Sequence, residues 1–417
     1  MPRTALRSEF GIATSAVHGG RGGDGASGSL LPPIVQSTTF AQRGIGTHTE
    51  HTYSRASNPT VAALERALGA LEGAPQAVCF GTGMSAISTL ALTLLRAGDE
   101  AIVSDVVYGG TVRLFSAILK ELGIEGRFVD TSRPEAVRAA VTARTKLVLI
   151  ETPANPTLKL TDVAAIAEVT RSLGVPLAVD NTFLTPVILR PLELGADISI
   201  YSTTKYIEGH NATVGGAVVT RDAGLLDRLR FVRKTLGTIQ SPFQAWLTLQ
   251  GLKTLPLRVA RHSHSALQIA KFLESHPSVT RVIYPGLGSF PQSELADRQH
   301  VSILDGQRLH GGIISLEVLG GLEGASTVAE SLRLCTLAEN LGAAESLVTH
   351  PVTMTHGDVP VEQRLKVGIS DGLLRLSVGL EDPADLIEDL DRSLSQLCTR
   401  VAASTAASRK ATEVCRG

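Results

Sequence analysis

Seven short apolar runs recur between residues 76 and 220, and most of them are separated by segments long enough to form a helix. Strands that are apolar along their whole length are typical of a parallel sheet covered by helices on both faces. Stretches such as SAISTLALTLLRAG and TDVAAIAEVTRSLG have the apolar spacing of amphipathic helices. We therefore predict an α/β fold around a mostly parallel seven-stranded sheet. The predicted strands are 76–80, 100–105, 126–130, 146–151, 176–181, 197–202 and 215–220.

The remaining sequence divides where its composition changes. Residues 1–60 are rich in Gly, Ser, Thr and Pro and show little periodicity, which indicates an arm that lies on another surface. Residues 61–255 make up the predicted large domain. Residues 256–395 indicate a smaller α+β domain with a long helix, strands near GGIISLEVL and LLRLSVGL, and a helix from about residue 383. The Ala/Ser/Thr-rich residues 396–417 are expected to form a flexible tail.

The charge balance argues against nucleic-acid and membrane-surface partners. The formal net charge is -1 and the pI is about 6.8, so no basic surface is indicated. The expected partners are a small-molecule substrate and further copies of the chain. Cys79, Cys335, Cys398 and Cys415 form no CxxC pair, which disfavours a disulfide framework and a zinc site. Because no signal peptide or long apolar run is evident, we expect a cytoplasmic protein.

Polar residues follow four of the predicted strands, where ligands bind in sheets of this kind. A lysine there can form a Schiff base, and a buried acid needs a cationic partner. A helix start presents free N–H groups to a phosphate. Together these groups indicate pyridoxal 5'-phosphate (PLP) chemistry. The residues concerned are Asp180, then Ser202, Thr204 and Lys205, then Glu151 and Asn155, and the helix start through Gly81, Thr82, Gly83 and Met84.

Each of these residues taken alone also has an ordinary explanation. Lys205 at a strand end is typical of a surface lysine whose stem packs on apolar neighbours. Asp180 is compatible with a helix cap, and Asn155 before Pro156 is a common turn signal. A glycine-rich connection is needed in many tight turns from strand to helix. Only their joint occurrence at consecutive strand ends favours the cofactor site.

From about residue 12 to 395 the chain resembles the Cys/Met-metabolism family of fold-type I PLP enzymes. That family includes cystathionine γ-synthase, cystathionine γ-lyase and methionine γ-lyase. The matching stretches occur in the family's order along the chain. They are YSRASNPT (53–60), GTGMSAI (81–87), VYGGTVRLF (107–115), ETPANPT (151–157), VDNTF (179–183), STTKY (202–206), LAENLGAAESLVTHP (337–351) and LLRLSVGLED (373–382).

The resemblance implies a role for each residue of the cofactor site. Lys205 would form the Schiff base and then carry protons between substrate carbons. Asp180 would pair with the pyridine nitrogen, and Tyr108 would stack on the ring and assist proton transfer at the leaving group. The other implied contacts are Asn155 near the phenolic oxygen, the amides of Gly83 and Met84 and the hydroxyls of Ser202 and Thr204 at the phosphate, and Tyr53 and Arg55 from a neighbouring subunit. The implied oligomer is at least a dimer, and in this family usually a tetramer.

The resemblance also implies a set of substrate-binding residues. Arg375 would hold the substrate α-carboxylate through its guanidinium fork, with Asn340 beside it where the family usually has serine. Glu339 and Arg113 would contact the distal amino and carboxylate groups of cystathionine. Methionine γ-lyases typically carry a cysteine where Gly110 stands. The sequence therefore favours cystathionine over methionine.

Three departures from the family's pattern, Asn340 among them, surround the lysine and the substrate. Asn340 replaces the usual serine, Tyr201 stands where histidine is frequent, and GHNATVGG (209–216) replaces the commoner GHSDVVGG. We predict PLP-dependent γ-elimination on cystathionine or a related γ-substituted L-amino acid. The alternatives are γ-replacement on O-acetyl- or O-succinylhomoserine, methionine γ-lyase activity and, remotely, a catalytically silent binding protein on the same fold. The residues leave elimination and replacement open, because water and a thiol compete for the same intermediate.

Overall fold

The structure, a computed structural model, describes residues 10–20, 28–47, 49–357 and 361–397. They form two compact units. The first unit contains the described residues up to Asn155, together with Lys159–Ala260 and Glu294–Leu309. The second contains Pro156–Leu158, Arg261–Ser293 and the described residues from His310 onward. Residues 398–417 of the predicted tail lie outside the described residues, and the predicted domain bounds stay a prediction.

The first unit is built on a seven-stranded sheet. Its strands are β1 (Ala77–Phe80), β2 (Glu100–Ser104), β3 (Glu125–Val129), β4 (Thr145–Glu151), β5 (Leu177–Asp180), β6 (Ile198–Tyr201) and β7 (Gly216–Thr220). They lie in the order β1-β7-β6-β5-β4-β2-β3. β7 pairs antiparallel with β1 and β6, whereas the other pairs are parallel. Each strand begins and ends within one residue of its predicted bounds, and the predicted α/β sheet is confirmed.

The second unit has a smaller sheet of five strands. They are β8 (Val279–Ile283), β9 (Ile313–Val318), β10 (Thr336–Leu337), β11 (Leu347–Thr349) and β12 (Leu373–Ser377). The order is β10-β11-β12-β9-β8. The sequence indicated only β9 and β12. β10 and β11 are two and three residues long, too short to show a periodic pattern.

Helices cover the strands and supply most of the remaining core. They are α1 (Ile12–His18), α2 (Pro59–Glu72), α3 (Gly83–Leu94), α4 (Gly109–Arg113), α5 (Leu119–Glu121), α6 (Pro134–Ala140), α7 (Val163–Leu173), α8 (Thr185–Ile188), α9 (Ala223–Leu236), α10 (Pro242–Leu252), α11 (Leu255–Ser275), α12 (Ser293–Gln299), α13 (Gly321–Ser331), α14 (Val361–Lys366) and α15 (383–397). A π-helical turn, Leu114–Ile118, joins α4 to α5, and a 3₁₀ turn, Pro191–Leu194, follows α8. In the described part of the chain no helix has both the length and the apolar character that crossing a membrane requires.

Local sequence signals explain where the helices start and stop. The Asn58 side chain accepts a hydrogen bond from the Thr60 amide, and Pro59 opens α2, both common at a helix start. Gly73 ends this helix with φ of 63°, a conformation that suits glycine. α1 lies in the segment that lacks periodicity. Its buried face is only Ile12, Ser15 and Ala16, too few residues for a helical pattern to be evident in the sequence.

A buried ion pair joins helices α2 and α9, and its arginine also binds the arm and β1. The Arg233 guanidinium, on α9, donates to Glu65 of α2 and to the Cys79 carbonyl at 2.8 Å. Its Nη2 atom donates to the Ala56 carbonyl at 3.3 Å, and the Cys79 amide donates to Glu65 at 3.0 Å. The side chains are 1% and 7% exposed, so neither charge is well hydrated. Each charge therefore depends on its partner.

We expect Arg233→Met to lower the free energy of unfolding by about 3–5 kcal/mol, because Glu65 would keep a buried charge without its partner. The double variant Arg233→Met/Glu65→Leu should recover much of that loss. Arg133→Ala, which breaks an exposed pair with Glu135, is the matched control and should change little. Thermal unfolding of the four proteins checks this. Equal, small losses in the single variants would contradict a dependence on the buried pair.

Candidate active site

Two carboxylates lie side by side at the carboxyl edge of the large sheet. Glu151 ends β4, Asp180 ends β5, and the two are register partners in parallel strands. Asp180 Oδ1 accepts hydrogen bonds from the Thr182 amide at 3.0 Å and from the Thr182 hydroxyl at 2.6 Å. Burial raises the pKa of Asp180, although both hydrogen bonds act in the opposite direction. A cationic partner would therefore bind well beside this acid.

Thr182 links the acid to the segment that carries the lysine. Its hydroxyl donates to Asp180 and accepts a hydrogen bond from the Ser202 amide at 2.8 Å. Ser202 follows β6 directly, and the half-buried Lys205 lies in the turn after it. The Lys205 amide donates to the Ser202 carbonyl at 3.3 Å, and the Gly209 amide donates to the Lys205 carbonyl at 2.8 Å. The predicted acid and the predicted lysine segment are thus neighbours.

An arginine absent from the sequence interpretation holds the turn after Lys205. The buried Arg258 guanidinium donates to the carbonyls of Tyr206 at 2.6 Å and Gly251 at 2.7 Å. Burial lowers the pKa of Arg258 to about 10. Gly209 has φ of +75°, and a Cβ atom there would lie 2.0 Å from Arg258 Nη1. This position therefore suits glycine. The sequence did not predict the arginine, because it lies more than 40 residues further along the chain and no local motif identifies it.

The start of α3 forms a narrow cradle against the lysine segment. Thr82 caps the helix by accepting a hydrogen bond from the Ser85 amide at 2.9 Å. A Cβ atom on Gly83 would lie 2.9 Å from Ser202 Cβ, so the two backbones approach more closely than larger residues allow. The amides of Gly83 and Met84 belong to the first turn, where N–H groups lack helical partners. The cradle therefore offers donors suited to an anion.

Thr204 makes local hydrogen bonds in this structure. Its hydroxyl donates to the Gly215 carbonyl at 3.1 Å and accepts from the Gly215 amide at 3.0 Å. A hydroxyl has a single proton to donate. The predicted contact of Thr204 with a phosphate stays a prediction, and it requires the hydroxyl to turn away from the Gly215 carbonyl.

Tyr108 and Asn155 approach the same edge through their backbones. The Tyr108 amide donates to Glu151 Oε2 at 2.9 Å, and the Asn155 amide donates to Glu151 Oε1 at 2.8 Å. Burial first and the Asp180 charge second raise the pKa of Glu151 to about 8. The Tyr108 side chain is 40% exposed and lies close to Gly110. Glu151 was noted in the sequence but given no role there.

Tyr53 and Arg55 lie on the surface of the first unit. The Arg55 guanidinium donates to the Lys234 carbonyl at 2.7 Å, and its carbon lies 5.3 Å from the centroid of the Tyr53 ring. The Tyr53 side chain is 42% exposed. Their predicted contact with a cofactor in a neighbouring subunit stays a prediction.

The predicted substrate residues of the second unit surround β12. Arg375 is buried in this strand, and its Nη2 atom donates to the Asn340 carbonyl at 3.1 Å and to the Thr349 hydroxyl at 3.0 Å. Glu339 is exposed beside Asn340. In the first unit, Arg113 is exposed on α4. The contacts of all four with a substrate stay predictions.

Tyr201 takes part in a buried network behind the sheet edge. Its hydroxyl donates to Glu72 Oε1 and accepts a hydrogen bond from the Asn181 side chain at 3.0 Å. Burial raises the pKa of Glu72 to about 8, and the nearby Arg190 charge opposes that rise. The Glu72 side chain is fully buried, so its protonated form is favoured in the folded protein.

We predict that Glu72 makes the folded protein less stable as pH rises. The folded pKa of about 8 lies above the ordinary 4.5, so the stabilisation is complete below about pH 4.5 and is lost as pH rises through about 8. Thermal unfolding of Glu72→Gln and of the native protein should therefore diverge across this window, by at most about 1.4 kcal/mol per pH unit. Parallel pH profiles would contradict a raised pKa.

The chain matches characterised proteins over nearly its whole length. A family model described as "Cys/Met metabolism PLP-dependent enzyme" matches residues 13–395. Cystathionine gamma-lyase of Bos taurus is 46% identical over 92% of this chain and 93% of that protein. Cystathionine beta-lyase of Coxiella burnetii is 44% identical over 92% of this chain and 97% of that protein. A crystal structure of cystathionine gamma synthase from Xanthomonas oryzae pv. oryzae, in complex with aminoacrylate and cysteine, has a TM-score of 0.87 and 42% identity, covering 95% of this chain and 98% of that chain. Because the family match includes both carboxylates, the lysine turn and the cradle at the sheet edge, the chain belongs to the Cys/Met metabolism family of PLP-dependent enzymes.

Proposed function

We propose that this enzyme cleaves the Cγ–S bond of cystathionine, or of a related γ-substituted L-amino acid, by elimination. With cystathionine and one water, the products are cysteine, 2-oxobutanoate and ammonia. The name of the Bos taurus relative, cystathionine gamma-lyase, supports this choice among related reactions. The observation that carries the chemistry is the link through Thr182, which joins Asp180 to the backbone just before Lys205.

The described residues fit PLP by the chemistry of their donors and acceptors. Asp180 would hold the protonated ring nitrogen, because burial already disfavours its charge without a cation. The Gly83 and Met84 amides, with the Ser202 hydroxyl, would hold the phosphate, and the space beside Gly83 is one that a Cβ atom would fill. Asn155 and Tyr108 would lie beside and over the ring. When bound, PLP supplies an electron sink for the negative charge that develops at the substrate's α-carbon.

Lys205 would move the protons of the reaction. Its amine would remove the proton from the α-carbon and then one from the β-carbon, and return a proton after the sulfur has left. A lysine works as a base only when its pKa is lowered, which burial and nearby positive charge achieve. The Tyr108 hydroxyl would give a proton to the departing sulfur. The half-buried position of Lys205 and the partial exposure of Tyr108 support these roles.

The substrate would be recognised by charge. Arg375 would bind the α-carboxylate in two parallel hydrogen bonds, with Asn340 beside it. Glu339 and Arg113 would bind the amino and carboxylate groups at the distal end of cystathionine. Gly110 supports this choice over methionine: a Cβ atom there would lie 2.6 Å from Tyr108 Cε1 and 2.9 Å from Met84 Sδ. The cysteine typical of methionine γ-lyases would thus force the Tyr108 ring to move.

A second candidate is γ-replacement, in which a thiol adds where elimination takes up water. The Xanthomonas oryzae relative, named cystathionine gamma synthase, favours keeping this reaction in the test. Assembly as a dimer with shared active sites, or as a tetramer, and a cytoplasmic location also stay predictions. A catalytically silent protein is disfavoured, because Lys205, Asp180, Tyr108 and Arg375 are all present.

The test is to incubate the PLP-loaded enzyme with cystathionine and to identify the keto acid. We expect 2-oxobutanoate, and its formation should be lost in Lys205→Ala while the fold, followed by circular dichroism, is retained. Pyruvate would show cleavage on the other side of sulfur. A lack of keto acid, together with rapid use of O-acetyl- or O-succinylhomoserine and cysteine, would replace elimination by γ-replacement.

We expect Thr182→Val to weaken PLP binding about 10- to 100-fold, because the variant removes the hydroxyl that donates to Asp180 and accepts from Ser202. Thr182→Ser keeps the hydroxyl and is the matched control. Equilibrium titration of the cofactor-free proteins with PLP measures the effect. If Val and Ser variants bind PLP equally well, the hydroxyl does not link the two segments.

A further inference from the structure

A single side chain in the first unit fastens two of the loops at the sheet edge. Glu151 Oε2 accepts the amide of Tyr108, in the loop after β2, and Oε1 accepts the amide of Asn155, in the loop after β4. Both distances, 2.9 Å and 2.8 Å, are those of good hydrogen bonds. The two amides are 47 residues apart in sequence and share no backbone ladder. The carboxylate thus bridges these two loops directly, in addition to the parallel pairing of β2 with β4 that precedes them.

The surroundings of Glu151 also fix its own position. The side chain is 7% exposed. The Glu151 amide donates to the Ser104 hydroxyl at 3.3 Å, and this hydroxyl exchanges a hydrogen bond with Thr131 at 2.8 Å. On the other side Glu151 is the register partner of Asp180. The backbone at Glu151 is therefore held from β2 and β5, and this fixes the point from which its side chain extends.

We propose that Glu151 is a positioning residue that holds Tyr108 and Asn155 in place for the cofactor. This inference rests on the proposed function, in which the Tyr108 ring and the Asn155 side chain lie at the PLP ring. Tyr108 caps the start of α4, so a shift of its amide moves the whole helix start. Asn155 is the last residue of the first segment of the first unit, and it is 3% exposed.

The chemistry requires an acid and excludes its amide. A carboxylate offers an acceptor oxygen to each of the two N–H groups, whereas glutamine of the same shape offers one oxygen and one NH₂ group. In Glu151→Gln, one backbone N–H would face another donor. A residue that served only for packing would tolerate this isosteric change. Glu151→Gln thus separates the two roles.

The experiment measures hydrogen exchange in the cofactor-free protein, at about pH 8.5, where the Glu151 carboxyl is largely ionised. Peptides that contain the Tyr108 and Asn155 amides are followed by mass spectrometry in the native protein and in Glu151→Gln. We expect about tenfold faster exchange at one of the two amides. PLP binding should weaken about tenfold or more, and kcat should fall more than KM rises. Glu151→Asp, whose shorter side chain cannot reach both loops, should show the same defects.

Glu100→Gln is the matched control. Glu100 is another fully buried carboxylate of the sheet, at the amino end of β2, where it pairs with Arg127 and Arg144. This variant should lower the thermal stability without changing exchange at Tyr108 and Asn155. Unchanged exchange and PLP affinity in Glu151→Gln would overturn the inference, even in an active enzyme. Faster exchange in that variant supports it, even if cystathionine proves not to be the substrate.

Discussion

The arrangement at the carboxyl edge of the large sheet depends on two buried carboxylates placed next to each other. Glu151 and Asp180 occupy neighbouring parallel strands, and burial raises the pKa of both. Two like charges cannot be held there without compensation. The protein compensates them differently: the Glu151 carboxylate accepts two backbone amides, whereas the Asp180 carboxylate accepts, within the described part of the chain, from Thr182. Glu151 thereby ties two loops of the scaffold together, whereas Asp180 is the acid that we propose for the cationic ligand.

Strand order brings the remaining groups to these acids. β5 lies between β4 and β6, so Asp180 has Glu151 on one side and the start of the lysine segment on the other. Between the ends of β5 and β6, the Thr182 hydroxyl accepts a hydrogen bond from the Ser202 amide. Ser202 in turn packs against Gly83 at the start of α3. A chain of direct contacts thus runs from the acid to the anion cradle, and each step depends on a small residue or a backbone group.

The sequence predicted the fold and the location of residues such as Asp180 at the sheet edge because these signals are local, while the roles of those residues stay predictions. Continuous apolar runs identify buried strands, and an acid or lysine where such a run stops is conspicuous. Glu151 and Arg258 accept from or donate to backbone groups of distant segments, at Tyr108 and Tyr206. No spacing rule in the sequence predicts such contacts. The sequence did not predict β10 and β11 for another reason: strands of two or three residues are too short to show a periodic pattern. The prediction was therefore limited mainly by contacts between residues far apart in the sequence, and less by local conformational preferences.

The same contacts explain how the segment after Lys205 can depart from the family without disturbing the lysine. Glu208 is buried and accepts the amides of His210 at 3.1 Å and Ala212 at 3.2 Å, so its side chain holds this loop through two backbone groups. Asn211 has φ of 54°, a conformation that asparagine tolerates better than most residues. Arg258 donates hydrogen bonds to the preceding carbonyls, those of Tyr206 and Ile207. Because the Glu208 and Arg258 contacts are made to backbone groups, they do not require the side chains of Ala212 and Thr213, where the chain departs from the family's usual wording.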